Sequence, residues 1–284
     1  MSTGLAIAVD NNGAITVAGS TGADGFPVTP GGIQPTCNCP ATFDGPNPRS
    51  STSSSFVSRL SADGGKLLWS TYLGGGGNGE FPFSGDTIQA LALTSDGGVV
   101  VAGASQSGGI HITPGAFQTK FRGQLAGYGI PANVFVTRLN STGTALKFST
   151  ILGGSILEQF SGLQLDAQEN VWVTGTIASS DFPSLPNGLS IGDEFVVQLA
   201  ADGSHLLKTQ MLPTGAAGQA LALDASGGEI LLGREAAHPR GRPVRDFDTG
   251  SGQCGGILGF RTRRARRNRQ PLRNRPGAKS RRRR

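Results

Sequence analysis

The stretch that decides the fold is AIAVDNNGAITVAGST, Ala6 to Thr21. It returns as ALALTSDGGVVVAGAS from Ala90, as GLQLDAQENVWVTGTI from Gly162 and as ALALDASGGEILLGRE from Ala220. Leu5, Ile7 and Val9 alternate with small residues, as do Ile15 and Val17; this is the period of two that sends successive side chains to opposite faces of a strand. Between the two runs, DNNG supplies residues that tolerate the positive φ of a tight hairpin, and SDGG and DASGG repeat that chemistry. The segment closes on Gly19, Gly103, Gly175 and Gly233, and nine positions earlier stand Asp10, Thr94, Asp166 and Asp224. The copies are spaced 84, 72 and 58 residues apart.

Two further segments recur in the same order. GFPVTPGGIQ (Gly25–Gln34) matches GIHITPGAFQ (Gly109–Gln118) and, more weakly, DFPSLPNGLS (Asp181–Ser190). SFVSRLSADGGKLLWSTYLGGG from Ser55 matches VFVTRLNSTGTALKFSTILGGS from Val134 and EFVVQLAADGSHLLKTQMLPTG from Glu194. The third segment is a second hairpin, turning at Asp63-Gly64 and again at Asp202-Gly203. Each repeat therefore reads as four short antiparallel strands, and no segment has sustained helical periodicity. The small residues closing each second strand, such as Ala18-Gly19-Ser20, suit strands crowded near a common axis.

Such units predict an all-β, β-propeller-like array of four-stranded blades. The repeats occupy residues 1–233, as blades at approximately 5–77, 88–155 and 160–215 with a partial one at 218–233. That is about 3.5 blades, short of the roughly 4–8 that close a ring, so the array is incomplete. Unclosed blades leave faces and edges that invite self-association. The extra length of the first two copies is a polar insertion before the third strand, Cys37–Ser55 and Thr119–Pro131. Insertions on one side of a repeat array are where binding is expected, although a tolerated surface loop reads the same way.

Composition agrees with a turn-rich β protein. The chain has 45 Gly and 16 Pro in 284 residues but no Gly-X-Y period, which excludes collagen, and 37% hydrophobic residues suffice for a core. The formal charge of +6 hides a split: residues 1–233 hold 8 Lys+Arg and 16 Asp+Glu, whereas residues 234–284 hold 17 and 3. The repeats carry −8 and the remainder +14. Residues 234–284 are expected to be a disordered, Arg-rich basic tail; its sixteen Arg against one Lys is the bias of a GC-rich gene read out of frame. If genuinely expressed, the tail would bind anionic surfaces or nucleic acid non-specifically.

Residue types that carry chemistry are sparse. His111 stands at a Pro position of the repeat, His205 lies in a hairpin where the first copy has Lys66, and His238 is in the tail. No Gly-x-Ser-x-Gly elbow or His-Glu-x-x-His pair is present. LGGGGNG (Leu73–Gly79) lacks the Lys-Ser/Thr of a phosphate loop and reads as a turn between blades. Asp10, Asn11 and Asn12 lack the spacing of a calcium loop and read as hairpin-turn residues. Trp69 and Trp172 fall at apolar strand positions, as core residues. Cys37 and Cys39 are too close for an easy mutual disulfide, Cys254 lies in the tail, and this set supports neither a disulfide framework nor a zinc site. No apolar run is long enough to span a membrane, and the N-terminus lacks the pattern of a signal peptide.

The succession DNNGAITVAGST, DGFPVTPGGIQ, SFVSRLSADGGKLLWSTYLGG resembles the bacterial beta-propeller repeat family SBBP, over about residues 4–233. The resemblance implies a secreted or cell-surface protein, with no enzymatic activity and no cofactor assigned to the repeat. The expected function is thus a non-catalytic scaffold or binding module with an unknown protein or glycan ligand. No catalytic, cofactor or metal residue is assigned, and ligand-binding residues are unknown. The alternatives are a propeller hydrolase or lyase with an axial active site, or a gene fragment without function. Against the enzyme, the inner strand ends are mostly Ala, Gly, Ser and Thr. Translating the other two frames beyond codon 233 is expected to restore a DFP…PGAFQ…FV continuation; its absence from both would refute the frameshift.

Overall fold

The computed structural model describes residues 2–22, 25–38, 54–75, 85–106, 108–124, 132–183, 193–212, 218–223 and 229–233. The expected tail, 234–284, and His238 lie outside the described residues, as do most of both insertions. The fold is all-β. The first sheet comprises β1 (Ser2–Val9), β2 (Ile15–Thr21), β3 (Ser54–Leu60) and β4 (Leu67–Leu73), in that spatial order. The second comprises β5 (Asp86–Leu93), β6 (Val99–Ser105), β7 (Asn133–Leu139) and β8 (Leu146–Leu152). The third comprises β9 (Glu158–Leu165), β10 (Val171–Ile177), β11 (Asp193–Leu199) and β12 (Leu206–Leu212), and β13 (Gly218–Leu223) pairs with β14 (Glu229–Gly233). Every pairing between these strands is antiparallel between sequence neighbours, so each sheet is an open meander with the form of a propeller blade.

The sheets stack front to back. Ala18, Val57, Trp69 and Leu73 of the first sheet share a core with Ile88, Val99, Val101, Phe135, Leu139 and Ile151 of the second. Val100, Ala102, Val136 and Phe148, from the other face of the second, meet Leu163, Val173, Phe195 and Val197 of the third. Trp172 and Val196 then meet Leu221 of β13. Trp69 and Trp172 are 7% and 4% exposed, so both are core residues. An aromatic ring of one sheet also lies against the outer-hairpin glycine of the next: Trp69 against Gly143 and Phe148 against Gly203. Both glycines hold positive φ, +68° and +74°, so no side chain competes for that space.

At the β1–β2 end, charge joins the sheets. Asp10 Oδ1 accepts from the Asn12 and Ala14 amides, at 2.9 and 2.8 Å, which makes the hairpin turn expected of it. Its other oxygen pairs with Arg59 of β3, whose Nη1 donates 2.7 Å to Gly97 O in the next sheet's hairpin. Arg138, one repeat on, pairs with Asp96 in its own sheet at 3.2 Å and with Glu169 of the next sheet at 2.7 Å. Glu169 occupies the turn position that Gly13 and Gly97 hold in earlier copies, and does so at φ +62°. Its carboxylate takes the Ser95 amide and hydroxyl as well, an anchorage that holds a non-glycine residue in that region.

The repeated closing glycines have a more local cause than crowding at an axis. The innermost strand carries a register shift in each sheet, between Gly4 and Ala6 and again between Ile88 and Ala90. The bulge thrusts a carbonyl oxygen at the neighbouring strand: a Cβ on Gly19, Gly103 or Gly175 would collide with the oxygen of Thr3, Thr87 or Gln159. Gly103→Ala is expected to destabilise the fold by about 2 kcal/mol or more, in the range of overpacked cores. Gly25→Ala, which would meet nothing within 4 Å, should be near neutral. Equal shifts of the two in a urea denaturation midpoint would contradict the bulge explanation.

Candidate functional site

The β2–β3 and β6–β7 connections, which hold the insertions, leave their sheets at the end opposite the charged hairpins. Each first runs back along the outer strand of its own sheet. Thr29 N donates to Ser70 O at 2.9 Å and Tyr72 N to Gln34 O at 3.1 Å; Thr113 N to Ser149 O and Ile151 N to Gln118 O repeat the pair, at 3.1 and 3.2 Å. The Thr-Pro-Gly and Gln positions of the repeat are thereby explained. The Pro-Gly step turns at Gly31 and Gly115, with φ +81° and +78°. Gln34 then clips Gly74 from both sides, accepting from its amide and donating to its carbonyl, each at 2.9 Å. This segment covers a strand edge that would otherwise present unpaired groups. The Phe-Pro element packs inward: Phe26 lies 4.3 Å from the Phe56 ring and Phe182 4.8 Å from Phe195.

Where the second sheet meets the third, this end gathers a polar network. Glu158, first residue of β9, is wholly buried. Its Oε2 accepts from Asn133 Nδ2 at 2.8 Å and from the Gly154 amide at 3.1 Å. Asn133 Oδ1 in turn accepts from the Arg122 amide at 2.9 Å, and the Arg122 guanidinium pairs with Asp181 at 2.7 Å. Asp181 also receives the Ser155 amide and hydroxyl, at 2.8 and 3.0 Å. Burial pushes the Glu158 carboxyl up to about 7, with nearby Asp181 adding to the rise while Ser179, Gly154 and Asn133 oppose it. For Asp181, burial raises the pKa, but Ser155 and the Arg122 charge outweigh it and hold the group below its ordinary value. The Arg122–Asp181 pair remains accessible, at 43% and 38% side-chain exposure.

The first junction uses the same device with a shorter acid. Asp86, first residue of β5, is wholly buried and accepts from the Gly75 amide at 2.8 Å, as Glu158 does from Gly154. Sequence reading assigned neither acid a place. The signal available was their common offset, each four residues before the start of the recurring segment, at Ala90 and Gly162. His111 and His205 are exposed and lie apart from this network. Leu73, Gly74 and Gly75 carry the chain out of β4, with both glycines at positive φ, as an inter-sheet turn requires. Cys37 is disulfide-bonded, although the cysteine count suggests no disulfide framework, and its partner lies outside the described residues. Among the described residues, no helix is long and apolar enough to cross a membrane.

No family model matches the chain, and no curated protein does. Among solved structures it is similar to a glucose dehydrogenase, at 11% identity and a TM-score of 0.30, over 82% of this chain and 80% of that one. It is also similar to the Dos1 propeller, at 11% identity and a TM-score of 0.31, over 80% of this chain and 65% of that one.

Glu158 makes stability depend on pH in a defined direction. Its proton is held to about pH 7 in the folded chain and lost near 4.5, the ordinary value, in the unfolded one. Its contribution is therefore fully present below pH 4.5 and falls until the pH passes about 7. A rise of this size corresponds to a loss of about 3 kcal/mol. Glu158→Gln keeps the shape without the titration, so its stability should decline less than the wild type's between those limits. Parallel pH profiles of unfolding free energy would contradict the assignment.

Proposed function

We propose that the chain is a non-catalytic propeller-repeat protein of the SBBP type, a cell-surface or secreted binding module whose ligand, a protein or glycan, is taken by the two insertions. One observation carries this reading. Successive sheets send their insertions out at the same end, and each insertion begins from a segment pinned to the outer strand of its own sheet by backbone and Gln hydrogen bonds. Variable loops on a rigid repeated support are the usual arrangement of a recognition surface. The Cys37 disulfide favours an oxidising compartment, in keeping with exposure at the cell surface. In this reading the buried carboxyls of Asp86 and Glu158 hold sheet junctions together, and the exposed Arg122–Asp181 pair ties the start of the second insertion to the third repeat.

The test replaces residues 40–53 by a Gly-Ser linker of equal length, leaving Cys37 and Cys39 in place, and compares both proteins on a glycan array and on immobilised bacterial cell-wall polysaccharide. Loss of binding with an unchanged melting temperature is the expected result. Binding that persists in the variant would move the recognition surface elsewhere.

A further inference from the structure

Each internal sheet buries its front against the back of the sheet before it, but among the described residues no sheet covers the front of the first. Ile7 and Val9 of β1 stand where β9 has Leu163 and Leu165. Leu163 is 8% exposed within the core shared with the second sheet, whereas Ile7 and Val9 are 68% and 59% exposed. The deficit extends over the inner half of the face. Ile15 and Val17 of β2 are only half-buried where Val99, Val101, Val171 and Val173 are wholly buried. An apolar surface built for sheet packing therefore faces water.

The chain itself shows what fits such a surface. The second sheet meets Leu163 and Leu165 with the inner half of its back: Ala90, Ala92, Val100 and Ala102. β13 and β14 repeat that pair of strands in the same register, with Ala222 opposite Ile230 as Ala92 is opposite Val100. Ala222 is half-buried. The other candidate back, the outer half of the third sheet, does not match. Lys208 takes the position of Trp69 and Phe148 there, and it and Gln210 are exposed.

We propose that the front of the first sheet, at Ile7 and Val9, is an interface for a second copy of this chain, which covers it with the back of its β13–β14 sheet. The contact continues the front-to-back packing that already joins the sheets within one copy. It is heterologous, since the two surfaces differ, and two copies using it reciprocally form a closed pair.

Sedimentation of the full chain is expected to show a species of twice the monomer mass, and Ile7→Lys to return it to monomer. Ile7 is largely exposed within a copy, so the substitution should leave the circular dichroism spectrum unchanged. A second variant, Ala222→Lys, tests the other surface. Each variant alone should be monomeric, while a mixture retains one intact front and one intact back and should regain the double-mass species. A monomeric wild type, or association indifferent to Ile7→Lys, would overturn the proposal. Failure of the mixture to associate would overturn the front-to-back geometry, and an Ala222→Lys variant that keeps the double mass by itself would point instead to front-against-front pairing.

Discussion

A four-stranded sheet with apolar residues on both faces is not stable in water by itself. Alternation along each strand puts Val100 and Ala102 on one face of the second sheet and Val99 and Val101 on the other, and all four are wholly buried. Burial of such side chains is worth about 25 cal/mol per Å² of apolar surface, which no single hydrogen bond in the structure rivals in sum. The chain meets the requirement by repetition: each sheet covers the next, and the second and third are covered by the one before. Everything else in the fold refines this stacking.

The refinements are of two kinds, placed at opposite ends of the sheets. At the hairpin end, Arg59 and Arg138 each join their own sheet's turn to the next sheet's, and Gln198 keeps the half of that pattern within its own sheet by donating to Asp166 at 2.8 Å. At the other end, buried Asp86 and Glu158 receive the amides of the turns between sheets. A carboxyl with no solvent access is costly when charged, and for Glu158 the cost appears as a proton retained to about pH 7. The β2–β3 and β6–β7 connections leave their sheets at this same end.

Much of this was legible in the sequence. The fourteen strands of the described residues, their hairpins and their antiparallel order follow from alternation and turn residues, which act over a few positions and so survive in a linear reading. Trp69 and Trp172 were identifiable as core for the same reason. The glycines were visible as a pattern but not in their cause, because the bulge that forbids a Cβ on Gly103 lies on the neighbouring strand, at Thr87. The partners of Arg138 were equally hidden, since Glu169 comes from another repeat and occupies a position where glycine would be expected.

By itself the sequence determined the repeating unit: its strands, its turns, and the fact that residues 234–284 depart from it in charge and pattern. Those properties depend on neighbours along the chain. Only the tertiary structure decided which faces are buried and which acids lose their water. Ile7 and Leu163 are near-equivalent residues at equivalent positions, yet one is 68% exposed and the other 8%. The difference is whether another sheet lies in front, and that is a matter of position in the stack rather than of residue type.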